Sequence, residues 1–489
     1  MVRRRVIAAW LGFALAALFF YPLAAAIQTD IYYLQWQRQD LAEALVALAV
    51  LGALAAWAVF AIWPRSGRGA TLALLAVVAV PVASLASGVA RQAPFENELR
   101  MAWENRLLVL AVCGAFVVLV AAVFAFWPAV FDRWLRRAIV MLSPVSLVVA
   151  GTLVLSAWHV PPVLQVDRES PLGPPAAASC APVIAWLFDE LSFSYLYDDN
   201  GSIREEFPAI RRFGESATHY MDVDAPARET LVALPSFLTA RHLRDTRITE
   251  AGLMEATDNG LAPLSVATPD GLFGTARRLG FRTEMAGYYL PYCDLLGDLL
   301  DACRSLSFYN VSTARARFAP DAAVATTLVL WPRQFPFGLL KNPPFAALQA
   351  DMVEATSGFA RRPLPPGRPV FRFVHFSVPH LPFAFGEDGY DPPMNPLRTM
   401  PDDYYVRQLR WVDRLFGTLV EEMGAGGTYD SSTIVLLADH GYRFGGRERD
   451  VEHIPFIVKK AGQSAATTDT AQVAGETLLK RIVEDSCRI

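Results

Sequence analysis

Two apolar runs in this 489-residue chain end on side chains of the kinds that hold divalent metals. Val183–Phe188 runs into Asp189 and Glu190, and Thr433–Ala438 runs into Asp439, His440 and Gly441. Carboxylate oxygen is a hard ligand and imidazole nitrogen a borderline one, a mixture that suits Zn²⁺ or Mn²⁺. A lone Asp after a strand is more often a turn or helix N-cap residue. The pairing of two such ends makes the metal reading worth pursuing. Between them, Thr230 opens an apolar stretch that also contains Pro235 and Thr239. A threonine hydroxyl is a poor nucleophile until a base or a cation lowers its pKa. One metal held by Asp189, Asp439 and His440 would do so, with Thr230 beside it, and would neutralise charge on a phosphoryl group under attack.

His380, in Val378-Pro379-His380-Leu381-Pro382-Phe383, and His453, in Glu452-His453-Ile454-Pro455-Phe456, are candidates on the substrate side. Imidazoles titrating near neutrality could donate to phosphate oxygens or exchange the proton of a leaving alcohol. Arg443 follows the Asp439-His440-Gly441 turn and could clamp a phosphate, as could Glu190 bind on that side. A second metal would need roughly three further ligands, and no convincing Asp accompanies His380 and His453. One metal is therefore expected. Of seven histidines, His159, His219, His242 and His375 lie in no motif and read as structural or exposed, His375 as a packing residue within a strand. Tyr288, Tyr289 and Tyr292 read as an aromatic cluster rather than an acceptor groove.

The elements that must carry these residues alternate. Val183–Phe188, Thr327–Leu330, Phe371–Phe376 and Thr433–Ala438 are short, continuous apolar runs, the pattern of strands buried on both faces. Tyr405, Leu409, Val412, Phe416 and Leu419 recur at helical spacing before Gly424 and Gly427 end the pattern. Such alternation predicts an α/β domain with a mostly parallel sheet, whose site lies at the C-terminal ends of its strands.

The first third of the chain differs. Hydrophobic residues make up 53% of the whole, but five stretches lack any charged residue: 6–29, 44–64, 69–90, 107–131 and 138–166. Each is long enough to cross a bilayer as a helix, so five spans are expected at about 6–27, 42–63, 70–90, 107–127 and 138–158. Arg3, Arg4, Arg5, Arg65, Arg68, Arg133, Arg136 and Arg137 fall on one side. The positive-inside bias puts that side and the N-terminus in the cytoplasm, and residue 167 onward outside the inner membrane, in the periplasm or beyond. The first span is too long, and lacks the cleavage pattern, for a removable signal peptide. Residues 167–180, rich in proline, read as a linker, and 181–489 as the outer domain. Overall net charge is −4, with no domain-scale basic patch, which excludes a polybasic nucleic-acid binder. Cys180, Cys293, Cys303 and Cys487 fall outside, where disulfides persist. Cys293 with Cys303, and Cys180 with Cys487, are the expected pairs.

With Thr230 standing nine residues before Thr239 in Leu238-Thr239-Ala240, the chain resembles the alkaline phosphatase superfamily in its sulfatase-like, membrane-anchored branch. Similarity covers most of 181–460. The resemblance implies that Thr230 is the nucleophile, in a position where sulfatases carry Cys or Ser in a Cys-x-Pro-Ser-Arg motif absent here. It implies that Asp189 is the first metal ligand and Asp439 with His440 the second ligand pair. His380 corresponds to a substrate-side His, and His453 to a late His that ligates metal or holds phosphate. Thr at the nucleophile position, Pro235 and five N-terminal spans are similar to the phosphoethanolamine transferases and, in part, the lipoteichoic acid synthases. The function so implied is metal-dependent transfer of a phosphoethanolamine- or phosphoglycerol-like group. Its donor is a lipid phosphodiester, its acceptor an envelope glycan or lipid, and its intermediate a phospho-threonine. The alternatives are an extracytoplasmic phosphodiesterase or sulfatase-like hydrolase, and a catalytically silent envelope-assembly protein.

Overall fold

In the computed structural model, the described residues are 2–27, 38–65, 67–90, 115, 118–159, 167–171, 180–249, 252–306, 320–329, 342–381, 383–391, 401–443 and 449–487. The chain divides into two compact units, one of residues 1–163 with 316–345, the other of 164–315 with 346–489.

The first unit is helical. α1 (Val2–Phe19), α2 (Tyr21–Ile27), α3 (Arg38–Ile62), α4 (Arg68–Ala90), α5 (Pro128–Leu142) and α6 (Val145–His159) lie in the N-terminal third. Leu11, Leu15, Val59, Leu74, Val78 and Ile139 form a buried cluster between them. α1 and α3 approach closely because residue 12 is glycine; a Cβ there would sit 2.2 Å from the backbone nitrogen of Ala56. Val46, Val50, Leu54 and Trp57 form an exposed apolar stripe along α3, with Trp57 74% accessible. An exposed stripe of this kind suits lipid rather than water. Among the described residues, three stretches are long and apolar enough to cross a membrane: Leu41–Ile62, Arg68–Leu85 and Pro128–Leu155. They suggest a membrane anchor. About half of the expected span at 107–127 falls outside the described residues, with 118–126 helical, and the first expected span is split by a turn at Phe20 into α1 and α2.

The second unit is built on a nine-stranded sheet. Its strands are β1 (Asp167–Glu169), β2 (Val183–Phe188), β3 (Thr218–Tyr220), β4 (Arg282–Tyr288), β5 (Ala302–Leu306), β6 (Val370–Phe376), β7 (Thr433–Ala438), β8 (Phe456–Lys459) and β9 (Thr467–Asp469). Their order is β1-β5-β4-β6-β2-β7-β8-β3-β9. The central run β5-β4-β6-β2-β7 is parallel throughout, and the antiparallel pairs lie towards the edges. β2, β6 and β7 are buried at every residue, which is why their sequences are continuous rather than alternating in hydrophobicity. Helices α7 (Pro208–Gly214), α8 (Thr230–Thr239), α9 (Leu272–Arg278), α10 (Pro320–Val329), α11 (Asn342–Ala360), α12 (Pro401–Ala425) and α13 (Gly475–Asp485) complete the elements that matter below.

Two expectations are corrected. Thr327–Leu330 is not a strand: residues 320–329 are the helix α10, and it belongs to the helical unit. Short apolar runs are ambiguous by periodicity, and here Pro320 at the first helical position and the alanines after it decide for helix. The first three residues of the expected linker instead form β1, paired antiparallel with β5. Both disulfides join the expected partners, Cys180 with Cys487 and Cys293 with Cys303.

Candidate active site

Register brings the two chemical ends together. In the β2–β7 pair Phe188 is opposite Ala438, so the residues that follow, Asp189 and Asp439, emerge side by side. In the β6–β2 pair Phe376 is opposite Phe188, which starts the Pro379-His380 turn from the same edge. The His380 amide donates to the Asp189 carbonyl at 3.0 Å. Three neighbouring parallel strands therefore deliver their C-terminal residues to one place, as the geometry of such sheets requires.

Asp189, Asp439 and His440 are fully buried, and one ligand atom from each lies within 4.8 Å of the others. Each carboxylate has one oxygen fixed and one left over. Asp189 Oδ2 accepts from the Tyr288 hydroxyl, while Oδ1 has no hydrogen-bond partner among the described residues. Asp439 Oδ1 accepts from the amides of His440 (2.8 Å) and Glu190 (3.2 Å), while Oδ2 is likewise left over. The leftover oxygens face the same nitrogen: His440 Nε2 is 3.9 Å from Asp189 Oδ1 and 3.4 Å from Asp439 Oδ2. His440 Nδ1 donates to the Gly441 carbonyl at 2.9 Å, which leaves the Nε2 lone pair turned towards the carboxylates. Buried oxygens without donors are costly unless something positive meets them. Two such oxygens and an imidazole lone pair are a donor set that fits a divalent cation.

Electrostatics follow from this crowding. Burial pushes Asp189 up, but the His380, His375 and His440 imidazoles outweigh it and hold the carboxyl below its ordinary range. Burial and the Asp189 charge push Asp439 up. Burial pushes His440 down, yet Asp439, Asp189 and Glu190 together hold it above the usual value.

Thr230 is the first residue of α8 and is 7% exposed. Its hydroxyl is 3.3 Å from His440 Nε2, the atom that the two leftover oxygens also face. α8 contains Pro235, which cannot bond the Leu231 carbonyl one turn back. The Thr246 hydroxyl supplies that bond at 2.6 Å. α8 ends at Ala240 in the left-handed conformation.

A second layer surrounds the first. Glu190, buried at φ 64°, adopts a backbone conformation uncommon for a residue with a side chain. Its Oε1 accepts from Arg443 Nε at 2.5 Å, and the same guanidinium donates to His380 Nε2 at 2.8 Å. The structure therefore links Glu190, Arg443 and His380 in one chain beside the cluster. His453 lies elsewhere: its Nε2 donates to the Met221 carbonyl at 2.8 Å and its ring stacks on Phe193, with centroids 4.0 Å apart.

Some residues read as merely structural in the sequence belong to this layer. His375 Nε2 lies 3.7 Å from Asp189 Oδ2, and its Nδ1 is bonded to the Tyr292 hydroxyl at 2.9 Å. Gly287 permits that arrangement, since a Cβ there would stand 2.8 Å from the Tyr292 ring and 2.9 Å from His375 Cβ. The Tyr405 hydroxyl donates to the Glu190 carbonyl (2.7 Å) and accepts from the Ser192 amide (3.0 Å). Gln408 Nε2 donates to the carbonyls of Pro379 (2.9 Å) and His380 (3.1 Å), and Gln349 Nε2 donates to the Ser377 carbonyl. The only sequence signal for these residues was position: His375 and Tyr288 lie in the last two residues of strands β6 and β4, the ends where polar side chains serve a site.

Residues 187–483 match the sulfatase family. No curated protein matches the chain in sequence. Solved structures give distant likenesses. The lipoteichoic acid synthase LtaP from Listeria monocytogenes matches over 67% of this chain and 76% of its own, at 13% identity and a TM-score of 0.40. The phosphonate monoester hydrolase SpPMH from Silicibacter pomeroyi matches over 63% and 73%, at 15% identity and 0.44. The PsFucS1 sulfatase from Pseudoalteromonas sp. matches over 63% and 67%, at 16% identity and 0.40.

Proposed function

The chain belongs to the sulfatase family, a family of enzymes within the alkaline phosphatase superfamily, and from that premise we propose a membrane-anchored, metal-dependent phosphotransferase of the cell envelope. Its donor is a lipid phosphodiester with a phosphoethanolamine- or phosphoglycerol-like head group, and its acceptor an envelope glycan or lipid. One observation carries the reading: the Thr230 hydroxyl and two undonated carboxylate oxygens converge on His440 Nε2. A threonine in this place favours phosphoryl over sulfuryl transfer.

Asp189 Oδ1, Asp439 Oδ2 and His440 Nε2 would hold one Zn²⁺ or Mn²⁺ ion. When bound, the ion supplies positive charge that lowers the pKa of the Thr230 hydroxyl and offsets charge on the phosphoryl oxygens. Thr230 Oγ1 forms a bond to phosphorus as the bond from phosphorus to the lipid alcohol oxygen breaks. The proton that Thr230 loses is balanced by the one the departing alcohol gains. His380 is the imidazole for that exchange once Arg443, which donates to its Nε2, turns to a phosphoryl oxygen. Remaining donors of Arg443, whose side chain is partly accessible, would bind a non-bridging oxygen, and the positive end of α8 favours the negative phosphoryl group at its first residue. The acceptor hydroxyl oxygen then bonds to phosphorus as the bond from phosphorus to Thr230 Oγ1 breaks, and the proton the acceptor loses is balanced by the one Thr230 Oγ1 regains. Glu190 serves the substrate side less directly, by fixing Arg443, and His453, bonded to the Met221 carbonyl, takes no part in the step.

We read 1–166 as the anchor and 181–489 as the catalytic domain, outside the inner membrane with the N-terminus inside, on the strength of the arginine bias in the loops. Attack of water instead of an alcohol on the same intermediate would give a phosphodiesterase, the reading next in order.

The test is mass spectrometry of the purified protein after incubation with a lipid phosphodiester, with and without glycan acceptors. A phosphorylated Thr230 peptide, absent in Thr230→Ala, is the expected result, with product formed only when acceptor is present. Product without acceptor would support the hydrolase. Full activity in Thr230→Ala would overturn the assignment, and purified protein lacking stoichiometric metal would favour a silent envelope-assembly role.

A further inference from the structure

Within the sequence of the outer domain, residues 320–329 belong instead to the helical unit. Helix α10, residues 320–329, rests on α3 and α2. The face it buries consists of Ala323 and Thr327, one turn apart and both small, which allows close helix–helix packing. The Thr327 hydroxyl donates back to the Ala323 carbonyl at 2.8 Å, so it needs no water.

Length limits where this helix can lie. Ten residues at about 1.5 Å each make roughly 15 Å, half of a hydrocarbon core about 30 Å thick. Such a helix cannot cross, so the chain must return to the side from which it came. Leu306, before the segment, and Ala346, after it, both belong to the other unit, as a return requires. α2 follows α1, so with a cytoplasmic N-terminus α2 stands at the outer end of the first crossing.

Composition points the same way. Residues 322–332 carry no charge. Arg317 precedes them, and Trp331, Arg333, Phe335, Phe337 and Lys341 follow: cations and aromatics, the residues that settle at headgroup level. Within 316–345 three basic residues face a single acid, Asp321, whereas the outer domain as a whole is acidic. That local excess suits anionic headgroups.

We infer that α10 enters the outer leaflet without crossing it, held at membrane depth against α3 and α2. The inference rests on the reading that α3 crosses the membrane.

Spin labels test it in the full chain, reconstituted in phosphatidylcholine–phosphatidylglycerol vesicles. Val324→Cys and Leu328→Cys, each half-buried on α10, carry the label in a Cys113→Ser background, the other four cysteines being paired. Leu54→Cys on α3 (59% exposed) is the lipid reference, and Leu261→Cys in the outer domain (45% exposed) the aqueous one. Power saturation by oxygen and by a water-soluble nickel chelate is the readout. At 324 and 328 the expected result is the Leu54 pattern, with oxygen favoured over nickel several-fold relative to Leu261. Labels at 324 and 328 that follow Leu261, while Leu54 stays lipid-like, would overturn the inference alone. An aqueous pattern at Leu54 as well would overturn it together with the membrane reading of α3.

Discussion

His375 stands behind Asp189, its Nε2 3.7 Å from Asp189 Oδ2 and its Nδ1 bonded to the Tyr292 hydroxyl. With the Tyr288 hydroxyl on the same oxygen, it fixes which carboxylate oxygen faces His440. Partners of this kind orient a metal ligand, and their loss typically costs about 10- to 100-fold in metal affinity. Tyr288→Phe and His375→Gln should each weaken Zn²⁺ or Mn²⁺ binding by roughly that factor, read by competition titration against a chromophoric chelator. A purely structural role would lower the melting temperature and leave the affinity per folded molecule unchanged.

Metal should stabilise the fold through the two undonated oxygens. Saturation at about 100 times the dissociation constant corresponds to roughly 2.7 kcal/mol. Calorimetry after chelator treatment and after reloading should show the melting temperature of the outer domain fall and recover. In Asp439→Asn, which loses one ligand charge, metal should move it far less.

Gln408 makes four buried contacts: its Oε1 accepts from the Ala384 and Phe385 amides and its Nε2 donates to the Pro379 and His380 carbonyls. It acts on the chemistry by positioning His380. Gln408→Ala should destabilise by roughly 2–4 kcal/mol and lower kcat more than it raises KM, because the group displaced serves the step rather than binding. An equal change in both parameters would argue that the His380 turn holds substrate instead.

His219 provides a stability switch away from the site. Burial pushes its pKa down despite the bond to the Gly214 carbonyl, and its Nδ1 is bonded to the Tyr197 hydroxyl. The unfolded chain therefore takes up the proton first, and stability falls as pH drops through an unfolded value of about 6.5. The loss is complete below the depressed folded value. Denaturant midpoints at pH 8 and pH 5.5 should differ more for the wild-type protein than for His219→Gln. Equal differences in the two proteins would remove His219 as the cause.

Cys180–Cys487 closes a separation of 307 residues. Long loops gain most from a cross-link in the chain-entropy account, and Cys487→Ser should cost about 3–5 kcal/mol. Comparing thermal melts of the wild type and variant, oxidised and reduced, checks this: reduction should lower the wild type more than the variant, which has only Cys293–Cys303 to lose.

Much of the site was legible in the chain itself. Val183–Phe188 and Thr433–Ala438 are apolar at every position because both faces of their strands are covered, and the polar residues that follow them mark the C-terminal edge. Thr230 was visible through its spacing to Thr239, and Tyr405 through the periodicity of its helix, though not the hydroxyl bonds it makes. The signal that misled was the apolar run Thr327–Leu330, since a run that short fits a strand or a helix equally well until Pro320 and the alanines ahead of the run are weighed.

The sequence by itself determined the chemistry: which residue types could bind a cation, which hydroxyl could attack, which segments were apolar enough to be an anchor, and which cysteines would pair. The residue types and apolar segments follow from composition and local periodicity, the Thr230 hydroxyl from the resemblance to a family, and the cysteine pairs from the even number of cysteines outside the spans. Tertiary structure alone decided that His375 and Tyr288 serve Asp189, and that Arg443 joins Glu190 to His380. It also decided that α10 packs with the N-terminal helices. Each of these depends on strand order and register, which bring together residues separated by tens to hundreds of positions, and no local pattern in the chain encodes such a pairing.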